Sequence, residues 1–398
     1  MKKLLILGGS DLQVSIIKLA AKMGIYVITC DYLPDNPGHK FANEYHNIST
    51  TDKDKVLNLA QSSGIDGILA YASDPAATVA AWVAERLDLP TNSLYAVNAL
   101  SRKDLFRDFM RKNNFLTPRA ASFSNFELAN CFFLNLDKEA IIKPVDSSGS
   151  KGVFRLKKGE LNKELFEKSL AFSKAQLIII EEFIEKSGYQ IGGDGFLVDG
   201  KLVFRCFGDI HFSKSNPLLP CAVSVPSLHS KRIQDKVHGE LQRLLSAIGM
   251  CSGGLNFDIL IDDEENVHIL EIGPRNGGNM LPELIEYCTG VDMKVYAIKA
   301  ALGENCSDLK MTHEKNFYSH YVIHSSQDGV VASFNKSIKL KNNLLYEHYN
   351  FKIGDKISKF VNSSNRLGIL LLKYKSKEEM LDFIYNMDQN FQIKFYEN

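Results

Sequence analysis

Two apolar runs, Phe257 to Ile261 and Val267 to Ile272, each carry one acid, Asp258 and Glu271, and flank the turn-forming Asp262-Asp263-Glu264-Glu265-Asn266. That pattern predicts a β-hairpin. Counted outward from the turn, the two acids fall at similar depth. From one face they would suit a hard divalent cation, Mg²⁺ or Mn²⁺, which takes oxygen ligands and commonly bridges phosphates. A plainer alternative is an acid paired with Arg275, or one at a strand end facing water. Either way a carboxylate inside strand-like apolar sequence needs a counter-charge, and the hairpin alone leaves both alternatives open.

A chain of 398 residues exceeds one ordinary domain, so two or three are expected. Basic and acidic residues balance at 47 each, and no Lys/Arg run offers a nucleic-acid or anionic-membrane surface. Seven cysteines without C-x-x-C spacing speak against a disulfide framework or a zinc site and for reduced thiols in a cytoplasmic protein. The apolar run Leu4 to Leu7 is too short for a signal peptide, and no segment approaches a membrane span.

Leu4 to Leu7 predicts a buried strand, followed by Gly8-Gly9-Ser10, a helical pattern ending at Gly24, and a second strand from Tyr26 to Cys30 before Asp31. The rhythm continues with a helix near 52–63, a strand Gly67 to Tyr71 and an Ala-rich helix Pro75 to Leu87, so residues 1–98 are expected to form an open α/β domain. Ligands of such sheets gather at strand C-termini. A dinucleotide site with Asp31 on the ribose is disfavoured, because Ser10 and Gln13 stand where the G-x-G-x-x-G pattern needs glycine. From 99 to 303 the pattern is α+β, including a helix over roughly 231–248 and a polar, Pro-containing stretch from His211 to His229 that could line a substrate mouth. Residues 304–398 are expected to be a smaller mixed domain.

Ile141-Ile142-Lys143-Pro144 predicts a strand ending in lysine, which runs into Val145-Asp146-Ser147-Ser148-Gly149-Ser150-Lys151-Gly152. Small residues in such a loop let backbone N–H groups surround anionic oxygens. It is not a P-loop, since the lysine precedes the glycines and G-x-x-x-x-G-K-[ST] is absent. A mere hairpin turn would not need three serines and two glycines. Leu177 to Ile180 is a further apolar strand, entering Glu181-Glu182-Phe183-Ile184.

The order of lysine strand, small-residue loop, Glu-Glu-Phe-Ile and Asp…Glu-x-x-x-Arg hairpin resembles the ATP-grasp superfamily. The resemblance spans roughly residues 1–303, because the first domain is similar to the one preceding the grasp in biotin carboxylase, carbamoyl phosphate synthetase and D-alanine–D-alanine ligase. Asn365-Arg366-Leu367-Gly368-Ile369 is similar to a segment of the biotin-carboxylase C-terminal domain. The fold class implied is α/β and α+β: an open α/β pre-ATP-grasp domain, an ATP-grasp fold and a small mixed C-terminal domain. The resemblance further implies that Lys103 and Lys143 touch ATP phosphates and that Ser147, Ser148, Gly149, Ser150 and Gly152 form a flap over them. Glu181, Glu182, Phe183 and Ile184 would be the hinge at the adenine edge, with Phe257 an apolar surface near the nucleotide. Asp258 and Glu271 would hold Mg²⁺ (or Mn²⁺), and Arg275 would face the transferred phosphoryl group.

Two positions depart from the family pattern. Gly188-Tyr189 stands where a ribose-binding acid is usual, leaving Glu185 or Gln190 as substitutes. Gly273 replaces a frequent metal-ligating Asn, so Asn276, Asn279 or water would complete the shell. The substrate is expected near Ser10, Asp74 and Asn276, although Asp74 before Pro75 better suits a helix cap. The activity implied is an ATP-dependent ligase that activates a carboxylate for attack by an amine. Activation of bicarbonate or formate, and a nucleotide-binding regulatory protein without turnover, are the alternatives. Expected partners are a small carboxylate and an amine, with neither nucleic acid nor membrane; relatives are often homodimers.

Overall fold

The computed structural model describes residues 1–396. A parallel sheet with strand order Glu44–His46, Tyr26–Cys30, Lys3–Leu7, Gly67–Ala70 opens the chain. Leu4 to Leu7 are fully buried, as expected of a parallel strand covered by helices on both faces. The helix Lys53–Ser63 starts where the Asp52 carboxylate accepts from the Lys55 N–H and stops at left-handed Gly64.

Two helices, Leu94–Ser101 and Lys103–Lys112, lead into a four-stranded antiparallel sheet ordered Ala120–Phe123, Ile178–Glu182, Ala140–Pro144, Phe154–Leu156. Facing it is an eight-stranded antiparallel sheet ordered Val267–Gly273, Gly253–Ile261, Gln190–Val198, Lys201–Ser213, Asn216–Val225, Phe317–Ile323, Gly368–Tyr374, Leu344–Tyr349. A three-stranded sheet of Lys356–Ile357, Gly329–Lys336 and Phe391–Phe395 completes the architecture.

The stretch expected to be a polar mouth is largely a strand, Asn216–Val225, and its neighbours run longer than the apolar pattern indicates. Pro217 and Pro220 hide it. Pro220 is accommodated where the register with Lys201–Ser213 slips beside Phe212, one of the few sheet positions open to proline. Glycines hide the strand Gln190–Val198: at Gly193, with φ of +157°, an added Cβ would lie 2.1 Å from the Cys206 carbonyl oxygen.

The expected division between residues 303 and 304 does not coincide with a break in hydrogen bonding. Phe317–Ile323 lies inside the large sheet, between Asn216–Val225 and Gly368–Tyr374. The largest apolar cluster likewise joins Ile16 and Ile17 to Phe196 and Phe204 and to Ile369 and Leu371. Among the described residues, no helix is long and apolar enough to cross a membrane.

Candidate active site

The four- and eight-stranded sheets and the loops around them enclose a cleft of about 1350 Å³. Single small-molecule pockets usually hold about 300–1,000 Å³, so there is room for two ligands side by side.

Asp258 stands directly opposite Glu271 across the hairpin, and on its other side opposite Gly192, where the Ile210 side chain of the next strand takes the space a Cβ would fill. Burial, and then the neighbouring Glu271, push the Asp258 carboxyl up to about 7. Gln190 Nε2 donates to Asp258 Oδ1 at 3.3 Å. Lys103 Nζ approaches Glu271 Oε2 at 3.8 Å while donating to the Ser147 carbonyl at 2.7 Å, linking the acid pair to the flap. Like charges held this close are short of positive charge. Among the described residues, no group of three or more His, Cys, Asp or Glu is arranged to hold a metal unaided. The donor set therefore fits a Mg²⁺ that brings phosphate oxygens as its remaining ligands.

Lys143 Nζ sits 2.7 Å from Glu181 Oε1, and Arg107 donates to Glu181 Oε2 through Nε at 3.1 Å and Nη2 at 3.0 Å. Burial alone would raise the Glu181 carboxyl, yet Arg107 and Lys143 hold it at about 2. Arg107 also donates to the Ile269 and Leu270 carbonyls, tying its helix to the strand that carries Glu271. Arg107 is absent from the motif reading. Its signal was the i,i+4 spacing from Lys103, which puts both cations on one helix face.

Ser147, Ser148, Gly149, Ser150 and Gly152 all border the cleft. Gly149, Ser150 and Gly152 have φ of +69°, +57° and +69°, a tight path suited to turning N–H groups inward. The flap base is fixed by Asp146, which accepts from Ser173 Oγ at 2.7 Å and the Ala175 N–H at 2.8 Å. At the hinge, Glu182, Phe183 and Ile184 line the cleft, but the Phe183 N–H already donates to the Glu139 carbonyl at 2.7 Å. Of the ribose candidates, Glu185 pairs with Arg155 and Gln190 is held on Asp258.

Arg275 forms a bidentate pair with Asp74, 2.7 Å at each contact. Ser73 occupies the cap position of the helix Asp74–Arg86, so the Asp74 carboxylate is not a helix cap; it orients the arginine.

Three expectations need correction. Ser10 does not border the cleft; its Oγ donates to Gln13 Oε1 at 2.6 Å as part of the turn into the first helix. Asn276 is buried, donating to Asp194 at 3.4 Å beneath Gly254, and does not border the cleft. Phe257 borders the cleft, but it alternates with Asp258 along one strand, so its ring points into the opposite core and packs edge-on against Phe207 with centroids 6.1 Å apart. Asp194 itself was not anticipated. It accepts from the Gly277 N–H and from Asn256, both at 2.8 Å, and pins the loop after Arg275.

Residues 100–279 match the family model described as the ATP-grasp domain. This stretch is an ATP-grasp domain. Over 193 residues, 46% of its length, the chain is 30% identical to the formate-dependent phosphoribosylglycinamide formyltransferase of Prochlorococcus marinus. That match spans about half the relative's length, 48%. Likeness of fold extends beyond the ATP-grasp domain. The L-amino acid ligase of Bacillus licheniformis superposes with a TM-score of 0.82 at 19% identity, covering 100% of this chain and 99% of that one. The phosphoribosylglycinamide synthetase of Anaerococcus prevotii superposes with a TM-score of 0.76 at 23% identity, covering 99% and 100%.

Proposed function

We propose that the protein is an ATP-dependent ligase that activates a carboxylate as an acyl phosphate, which an amine then attacks to form a C–N bond, with ADP and phosphate as products. The observation that carries this reading is the Asp258–Glu271 pair, in register, with Lys103, Lys143 and Arg275 around it and the glycine-bearing flap above. A ligase named for amino acids shares the fold over the whole chain, and a neighbour with a TM-score of 0.77 was crystallised with MgADP.

In this reading Lys103 and Lys143 hold the phosphates and Asp258 and Glu271 hold Mg²⁺, with Mn²⁺ as an alternative. When bound, the metal neutralises phosphate charge and aligns the phosphoryl group with the acid. Glu181 and Arg107 position Lys143. Asp74 holds the Arg275 guanidinium in one plane, aimed at the oxygens where charge collects during transfer. The flap backbone excludes water, which would otherwise hydrolyse the activated acid. Glu182 to Ile184 border the base. No nucleophilic side chain is required: the P–O bond to ADP breaks as the carboxylate O–P bond forms, and the C–O bond to phosphate breaks as the C–N bond forms.

The test is ADP and phosphate release with Mg·ATP over a panel of carboxylic acids with and without amines, with Glu271→Gln as the blank. Release that needs an acid–amine pair and vanishes in the variant supports the ligase. Release with formate or bicarbonate alone, with no requirement for an amine, overturns it.

A further inference from the structure

Beyond the carboxylate pair the cleft changes character. Gln190, Ile210, Val223 and His320 are aligned across four adjacent strands of the large sheet. The last three therefore stand two, three and four strands from the one carrying Asp258, or about 10, 14 and 19 Å at normal strand spacing. Ile210 and Val223 give this floor its aliphatic surface, Leu281 flanks it, and Leu219, Val322 and Phe360 form a separate apolar cluster closing over it.

The two arginines at this end are already matched. Arg275 is neutralised by Asp74. Arg366 donates to Asp11 and, at 3.0 Å, to Asn279 Oδ1. Lys151 lies on the flap, and Lys186 follows the hinge with its ammonium 4.5 Å over the ring of Phe212, two residues along the strand from Ile210. A phosphate dianion needs cations free to donate charge-assisted hydrogen bonds, and two arginine–aspartate pairs do not supply them. A zwitterion, with no net charge, suits such a wall. One polar group stands open: the buried His320 Nδ1 has no partner among the described residues.

We infer that this end of the cleft takes a free amino acid with an aliphatic or aromatic side chain, the side chain lying on Ile210 and Val223 beneath Phe360. Its carboxylate and ammonium are met by the Arg275–Asp74 and Arg366–Asp11 pairs. This deepens the ligase reading and rests on it for the chemistry, but not for the binding.

Two measurements separate the two claims. Calorimetric titration of leucine, phenylalanine, glycine, aspartate and glucosamine 6-phosphate into the full chain with Mg·ADP reads binding alone. The same compounds, singly and in pairs, are assayed for phosphate release with Mg·ATP. Leucine or phenylalanine is expected to bind at least about tenfold more tightly than glycine or aspartate, the discrimination that one to a few buried methylenes provide. Val223→Ala, which enlarges the floor, should shift preference from leucine towards phenylalanine, a change of ratio that general destabilisation would not produce. Should that variant unfold, Val223→Thr of similar shape is expected to weaken leucine binding while leaving Mg·ADP affinity unchanged. Aspartate, glycine or glucosamine 6-phosphate binding as well as leucine overturns the inference even if the protein proves to be a ligase. Tight leucine binding without amine-dependent phosphate release supports the pocket and overturns the ligase reading instead.

Discussion

Glu181 shares one buried carboxylate between Lys143 and Arg107, and removing its charge strands both cations. Glu181→Gln is expected to lower stability by about 3–5 kcal/mol, measured as a fall in the urea midpoint. The pH dependence follows from a folded-state value near 2 against an ordinary 4.5. The carboxylate's contribution is complete above pH 4.5 and is lost as pH falls towards 2, so the gap between wild type and variant should narrow over that window. A gap independent of pH would refute the assignment. For Arg275→Lys, the planar two-point contact with Asp74 is lost, and turnover should fall by about 10²–10³-fold while the thermal midpoint stays near wild type. Lys143, Asp258, Glu271 and Arg275 could be singled out because their order along the chain resembles the ATP-grasp pattern, whereas the hairpin by itself left their partners open. Arg107, Asp194 and Arg366 were not, because each looks like an ordinary charged residue until distant partners surround it.

At the level of elements, the flap meets a segment from the end of the chain. The Ser363 N–H donates to the Gly149 carbonyl at 3.1 Å, and a Cβ on Gly149 would fall 1.9 Å from Ser363 Oγ. Gly149→Ala should therefore keep the flap from seating, raising the KM for ATP and lowering kcat, with little change in melting temperature because the loop carries no core residue. Replacing Ser363 by Gly as well should recover part of the loss; no recovery would place the defect in the left-handed backbone alone. The helix expected over roughly 231–248 is Lys231–Ile248, bounded by the Ser230 cap and left-handed Gly249. The strands Gln190–Val198 and Asn216–Val225 were obscured because glycine and proline are there for close strand approach and a register slip, and local pattern treats both as turn signals.

For the whole molecule, the position of Phe317–Ile323 inside the large sheet predicts that a fragment ending at residue 303 will not fold alone. It would expose the edge of Asn216–Val225 and the part of a shared core that packs with Tyr318, Ile369 and Leu371. Such a fragment is expected to aggregate or to lack near-ultraviolet dichroism, whereas the intact chain has a packed aromatic core; a monomeric fragment with a sharp melting transition would contradict this. The sequence by itself determined the local parts: the carboxylate hairpin, the lysine strand, the small-residue loop and the order in which they occur. Those depend on neighbours a few residues away, where periodicity and turn chemistry act. Only tertiary structure decided that Asp74 meets Arg275 across 201 residues and Asp11 meets Arg366 across 355. It also decided that Ser10 and Asn276 do not border the cleft and that the C-terminal strands complete the sheet. Those pairings arise when separate apolar faces exclude water against one another, and alternation along a strand shows which residues share a face but not which face it will meet.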